Sequence, residues 1–367
     1  MTGQETNLLA EVISSGFLND GPLTEKFENQ IAEYLGVPYA IALTSCTAGL
    51  YLSLMAIGVG PGDEVLVPDI TFIATANAVT MTGAKPILVD VDINTFCISP
   101  LDAERKITAK TKAMIPVHVT GRPSNIPELL RICQQHKIVM IEDAAEALGS
   151  ASYGGFMGTH GLTGCFSLSP AKTITTGQGG IIVTSDATIH GRLRELKDQG
   201  RPKRGTGGDD IHSALGFNFK FTDLQSAVGL AQFASLEERV KRLRRHYEIY
   251  SDRLSNCADV RLPSFDLADG ACPQWIDVYV ENGRDELHQI LKDKKMDCRK
   301  FWFPLHTQAA YKIDEESGAK AFPNSLAVSK NAMWLPSALS LTDEDIESVC
   351  ETIKTWARHP QLVKGAN

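Results

Sequence analysis

Lys172 lies in Cys165-Phe-Ser-Leu-Ser-Pro-Ala-Lys-Thr-Ile-Thr-Thr-Gly-Gln-Gly-Gly180, after a short apolar strand and before a loop too rich in glycine and threonine to be helix. A lone lysine reads first as a solvated surface residue. Held beside a cation or partly out of water, it loses proton affinity, becomes nucleophilic and can form a Schiff base with an aldehyde. Asp143 directly follows a strand over 138–142, at the carboxyl end where open α/β sheets bind ligands. Alone it reads equally well as a helix cap or a magnesium ligand. The 29 residues from Asp143 to Lys172 suffice for a strand, a turn and a return strand, so both side chains can converge on one planar ligand. Pyridoxal 5'-phosphate (PLP) needs that pair: a carboxylate facing the pyridine nitrogen keeps it protonated, and the protonated ring accepts electrons from the substrate carbon. Its phosphate requires an anion site, which Leu43-Thr-Ser-Cys-Thr47 at the start of a helix supplies through unpaired N–H groups and hydroxyls. Ordinary helix capping fits the same residues.

Other chemistries find no support. Gly58-Val-Gly60-Pro-Gly62 follows a helix and precedes a strand, the reverse of the order a dinucleotide site needs, and no Gly-Lys dipeptide offers a P-loop. The nine histidines show no metal-binding spacing, so no metal is expected. A net charge of -8 repels a phosphate backbone, and no nucleic-acid motif compensates for it. The eight cysteines are scattered without a C-x-x-C pair, which suits reduced thiols. Glu5, Glu11 and Asp20 interrupt the first twenty residues, leaving neither signal peptide nor membrane span, and a cytoplasmic location is expected.

The elements that must position these groups are legible as an α/β pattern. Leu23, Phe27, Ile31, Tyr34 and Leu35 recur at helical spacing and stop at Gly36, before a buried strand over 39–43. Helices are expected over 48–57, 71–82 and 126–136, and strands over 64–67, 86–89, 113–117 and 138–141. Such alternation calls for a mostly parallel sheet with covering helices. After residue 185 helices dominate. The longest opens at Thr222-Asp-Leu-Gln225, a capping box, and continues through a basic stretch over 237–246 that reads as a solvated face or subunit contact. A domain boundary is placed near 245, dividing a large PLP-binding domain (1–245) from a smaller α/β domain (246–367). The latter is expected to hold a strand over 275–280 and helices over 285–294 and 343–356.

Thr44-Ser-Cys-Thr-Ala-Gly-Leu50, Gly60-Pro-Gly-Asp-Glu-Val-Leu-Val-Pro68, Ile141-Glu-Asp-Ala-Ala-Glu-Ala-Leu-Gly149, Pro170-Ala-Lys-Thr-Ile-Thr-Thr-Gly-Gln-Gly-Gly180 and Gly216-Phe-Asn-Phe-Lys-Phe-Thr-Asp-Leu-Gln225 resemble, in order, the landmarks of the DegT/DnrJ/EryC1/StrS sugar aminotransferases. The resemblance implies a fold-type I PLP-dependent transferase, dimeric, taking its amino group from glutamate. It implies that Lys172 carries the cofactor and shuttles a proton, that Asp143 pairs with the pyridine nitrogen, and that Glu146 sits near the phenolic oxygen. Ala145 would cover one ring face and Phe72 the other. Cys46, Thr47 and Ser167 would hold the phosphate, joined by Asn218 from the second subunit. Core packing for Phe72 and a local turn for Asn218 stay open. His306, in the family's Pro-Leu-His string, would line the substrate entrance, or be a satisfied structural histidine.

The chain departs from the family pattern at Glu146, where Gln is frequent and Glu resembles the perosamine branch, and at Thr173 and Gln178. Pro273-Gln-Trp-Ile-Asp-Val-Tyr279 and Cys298-Arg-Lys-Phe-Trp-Phe-Pro-Leu-His306 also replace more usual strings. The expectation is amino transfer to a keto-sugar, nucleotide-linked by preference. A free keto acid-sugar such as an 8-oxo octulosonate, or a non-catalytic PLP-binding regulator, are the alternatives. The family's sugar dehydratases carry histidine in place of the lysine, and Lys172 is intact.

Overall fold

Seven strands make the main sheet of the computed structural model, which describes residues 3–202 and 211–358. They are β1 (Tyr39–Leu43), β2 (Glu64–Pro68), β3 (Lys85–Val89), β4 (Thr111–Met114), β5 (Val139–Asp143), β6 (Thr163–Ser167) and β7 (Gly180–Thr184). Their spatial order is β1-β7-β6-β5-β4-β2-β3. All the pairs from β3 across to β6 are parallel, and only β7 runs against its neighbours. β1, β2 and β7 are buried at successive positions because both faces of the sheet are covered. Ala40 and Ala42 face one core layer while Ile41 and Leu43 face the other, and Ile181, Ile182 and Val183 alternate in the same way. The expected α/β architecture with a mixed, mostly parallel sheet is what the chain forms.

Local signals set the helices. Pro22–Leu35 begins on a proline and ends at Gly36, whose φ of 67° suits glycine at a left-handed cap. Cys46–Ala56 starts two residues earlier than expected because Ser45 caps it, its hydroxyl accepting from the Ala48 amide. The helix expected over 71–82 forms only over Ala74–Met81. The capping box at Thr222 is present with both of its bonds. The single long helix expected there is, however, two helices, Asp223–Phe233 and Leu236–Leu254, parted at Ala234 and Ser235.

A second sheet, fully antiparallel, holds β8 (Val260–Arg261), β9 (Ile276–Val280), β10 (Arg299–Lys300) and β11 (Ala332–Leu335) in the order β8-β9-β11-β10. Its core includes Tyr250, Val278, Leu287, Met333 and Ile353. Leu236–Leu254 spans the position where a boundary is expected from sequence: Leu236 joins the core of the main sheet, whereas Tyr247 and Tyr250 join that of the second. A third apolar cluster, with Ile70, Val117, Phe301 and Trp334, welds the two units together. No described helix is long and apolar enough to cross a membrane.

Candidate active site

Parallel pairing of β5 with β6 brings the chemistry together. Asp143 is the last residue of β5 and pairs with Cys165, so both strands deliver their carboxyl ends to one edge of the sheet. The return strand expected between Asp143 and Lys172 is therefore a parallel neighbour, reached through a small hairpin at Ala151–Ser152 and Gly155–Phe156. Lys172 lies in the loop that leaves β6.

Adjacent residues on a strand point to opposite faces, and Glu142 and Asp143 use this to do different work. Glu142 is fully buried and accepts four hydrogen bonds, from His118 Nε2 (2.9 Å) and from the amides of Gly158 (2.9 Å), His160 (2.7 Å) and Gly161 (2.6 Å). Burial would raise its pKa, but these donors outweigh it and hold the carboxyl below the usual glutamate value. Ser124 N donates to His118 Nδ1 (3.2 Å), which leaves Nε2 to carry the proton toward Glu142. The His118 amide in turn donates to the Asp143 carbonyl, pinning the strand end that carries Asp143.

Asp143 is also buried but, among the described residues, accepts only from Thr75 Oγ1 (2.8 Å) and the Ala145 amide (3.1 Å). Burial wins here: its carboxyl is pushed up, with the two hydrogen bonds and the charge of Lys172 offsetting only part of the shift. Thr75 reaches it because Thr71, Phe72 and Ile73 stay outside the helix that starts at Ala74.

Lys172 Nζ stands 3.3 Å from Glu146 Oε1 and 4.6 Å from the centre of the Trp275 ring, with its side chain 12% exposed. Glu146 is buried, and its other oxygen accepts from the Thr120 amide (2.8 Å). Burial raises its pKa, countered by Lys172 and Thr120 and reinforced by the negative charge of Asp143. Lys172, Asp143 and Glu146 thus form one electrostatically coupled group.

The small polar residues converge beside it. Ser167 and Leu43 both pair with Gly180. A Cβ at Gly180 would run into the Cys46 nitrogen and the Ser45 carbonyl, so only glycine lets β7 pass this close to the start of Cys46–Ala56. Cys46 and Thr47 are the first residues of that helix, where amides have no partner in the preceding turn. Burial pushes the Cys46 thiol well above its usual pKa, leaving the backbone amide as its means of meeting an anion. Ser167 is half-buried, and its hydroxyl bonds to that of Ser169 (3.3 Å). Ala145 is half-buried, while Phe72 is 60% exposed, a free aromatic face beside the carboxyl end of the sheet. These features fit PLP: a buried carboxylate, a partly desolvated amine, a helix start stripped of side-chain bulk, and a small and an aromatic residue for the two ring faces.

Two sequence-expected residues make no hydrogen bond to this group among the described residues. Asn218 is exposed and bridges to Asp198, while Phe217 and Phe219 turn inward onto Tyr51. His306 is 3% exposed; its Nδ1 and Asp69 Oδ2 are 2.7 Å apart, its amide donates to Asp69 Oδ1 (2.8 Å), and its ring stacks on Phe322. These are the contacts of a satisfied histidine. Thr75, Thr120, His118 with Glu142, and Trp275 were missed from sequence. Only Thr75, four residues after Thr71, carried a periodic hint; the others arrive through long-range contacts.

A family profile described as the DegT/DnrJ/EryC1/StrS aminotransferase family matches residues 1–354. The chain is 35% identical over 357 residues to the GDP-perosamine synthase of Escherichia coli O157:H7, covering 97% of this chain and 96% of that protein. Among solved structures, S. venezuelae DesV in complex with a ketimine intermediate is 30% identical at a TM-score of 0.90, over 97% of this chain and 94% of that one. The PLP-form of Spr1654 from Streptococcus pneumoniae is 25% identical at a TM-score of 0.90, over 98% of this chain and 97% of that one.

Proposed function

The chain belongs to the DegT/DnrJ/EryC1/StrS aminotransferase family and is a PLP-dependent enzyme, and from that premise we propose that it moves the amino group of glutamate to a nucleotide-linked keto-sugar. The observation that carries this reading is the coupled Lys172, Asp143 and Glu146 group at one edge of the sheet. The relative named a GDP-perosamine synthase supports the nucleotide-linked acceptor, and Glu146 resembles the perosamine branch.

When bound, PLP supplies an electron sink for the substrate carbon. Lys172 would hold the cofactor, and its Nζ would move the proton at the substrate carbon. Asp143 would pair with the pyridine nitrogen, whose positive charge would offset the cost of burying the carboxylate. Glu146, beside Nζ, would orient it and serve the phenolic oxygen. The amides of Cys46 and Thr47 and the Ser167 hydroxyl would bind the phosphate. Phe72 and Ala145 would cover the two ring faces. Asn218 completes the phosphate site from the partner in a homodimer, its exposure leaving it free to do so. Domains of 1–245 and 246–367, of which 359–367 lie outside the described residues, and a cytoplasmic location complete the reading.

Purified protein should be yellow. Lys172→Ala should lose both the visible absorbance of the lysine-linked cofactor and all turnover, and full activity in that variant rejects the assignment.

A further inference from the structure

The basic stretch over 237–246 has the composition of a solvated helix face, but one of its cations is turned inward. Arg239, one turn into Leu236–Leu254, is half-buried, and its Nη1 donates to the carbonyl of Thr173 (3.0 Å), the residue after Lys172. Its Nε donates to Ser235 Oγ (2.9 Å), so the planar guanidinium is fixed in direction as well as in place. Helix stability does not account for it. A cation this near a helix N-terminus opposes the macrodipole. Burial holds its pKa below the usual arginine value, with the carboxylates of Glu5 and Glu238 opposing the shift. Glu5, buried on the N-terminal helix Glu5–Ser15, also accepts from Gln232 Nε2 (2.6 Å), and the Gln232 carbonyl accepts from Ser235 Oγ (2.9 Å). A line of polar contacts thus runs from the N-terminal helix to the lysine loop.

That loop is closed at its base by backbone bonds, from Leu168 N to the Gly179 carbonyl (3.0 Å) and from Thr176 N to the Leu168 carbonyl (3.1 Å). Ahead of Lys172 a turn bond joins its own amide to the Ser169 carbonyl (3.1 Å), and Pro170 and Ala171 are exposed. Behind it Ile174 is sunk in the core of the main sheet, and the Thr173 carbonyl takes the Arg239 bond. Among the described residues, two side chains from outside the loop donate to its backbone: Arg239 beside the lysine, and Gln225 farther off, at Gln178. Nζ stands at the end of a flexible stem, so its 3.3 Å contact with Glu146 depends on where this backbone is held.

Resting on the aminotransferase reading above, we propose that Arg239 is a positioning residue for that reaction: it fixes the backbone behind Lys172, so that Nζ stays on Glu146 and in reach of the substrate carbon. It acts through the Thr173 carbonyl and not by contact with the reacting atoms. A charged donor on a neutral carbonyl suits this task, because the bond holds whatever charge Nζ carries during turnover.

Hydrogen exchange on the apoprotein and single-turnover kinetics on the holoenzyme test this. Arg239→Met, which keeps an unbranched stem and removes the donors, should speed exchange in peptides covering 168–176 about fivefold or more, while those covering β7 keep wild-type rates. With glutamate as the probe, the maximal rate at which the cofactor's visible band is lost should fall about tenfold or more, because a displaced Nζ slows the chemical step. The glutamate concentration giving half that rate should change far less. Arg239→Lys keeps a charged donor and should recover part of both losses. Arg253→Met, at the far end of the same helix where the guanidinium bonds Glu347 on the surface, should change neither. Loop exchange at the wild-type rate in Arg239→Met, or faster exchange with the rate of band loss intact, overturns the positioning role, as does a lysine variant no better than the methionine one. A band that glutamate leaves untouched in the wild-type enzyme sinks the transfer reading and with it the role in the reaction, while the exchange difference still reports whether Arg239 holds the loop.

Discussion

Glu142 and Asp143 are neighbours in sequence, both buried, and their pKa values move in opposite directions. The difference is the number of donors: four for Glu142 against two for Asp143. Glu142, lowered in the fold, contributes stability that is present above its unfolded pKa and lost as pH falls through its folded value. Glu142→Gln should therefore flatten the acid limb of a urea-unfolding series, and an unchanged limb would contradict this account. Asp143, raised in the fold, has the opposite sign. Its contribution is present below the unfolded pKa and lost as pH rises through the folded one. The apoprotein of Asp143→Asn should gain stability over wild type as pH rises through that range while losing turnover, since the amide oxygen can still accept from Ala145 and the amide nitrogen can donate to Thr75 Oγ1, but no charge is left for the pyridine nitrogen. Thermal melts of the two apoproteins at several pH values decide it. A functional carboxylate held at the expense of the fold is what a stability and activity trade-off predicts.

Among the elements, the start of Cys46–Ala56 matters most, and Gly180 sets its distance from the sheet. In Gly180→Ala the new methyl meets backbone atoms of Ser45 and Cys46, which cannot swing aside as a side chain would. Overpacking of this kind costs about 1–3 kcal/mol, and a displaced helix start should weaken cofactor retention at least tenfold. Equilibrium dialysis of PLP against the variant measures the second effect; wild-type retention would show that the close approach is incidental. The helix was legible in sequence from Thr44-Ser-Cys-Thr, and Gly177-Gln-Gly-Gly180 read correctly as non-helical. That these two segments touch was not legible, because the contact depends on β7 being the one strand that runs backwards.

Across the whole molecule, the two sheets are joined by a buried ion pair as well as by the shared helix Leu236–Leu254. Arg122 Nη2 lies 2.6 Å from Asp277 Oδ1, with both side chains almost wholly buried, and the guanidinium also donates to the carbonyls of Thr95 and Ser264. Asp277→Ala strands a buried cation and should cost about 3–5 kcal/mol in urea unfolding, an amount that a merely exposed pair would not show. Subunit complementation tests the homodimer reading at the same scale. Mixing Lys172→Ala with Asn218→Ala chains should recover activity that neither has alone, since one mixed site then holds both residues; no recovery after verified exchange places Asn218 within its own subunit's chemistry.

Sequence by itself determined the alternation of helices and strands, the lysine and the aspartate with their type of chemistry, and the small polar segment suited to phosphate. Residue type and local spacing carry that information, because caps, periodicity and turn chemistry act over a few residues. Only the tertiary structure decided which groups share an environment. It paired β5 with β6 in parallel, set Trp275 under Lys172, gave Thr75 to Asp143 and closed His306 onto Asp69. Those outcomes depend on contacts between distant segments, and the number of donors those contacts bring to two buried carboxylates is what gives them opposite behaviour.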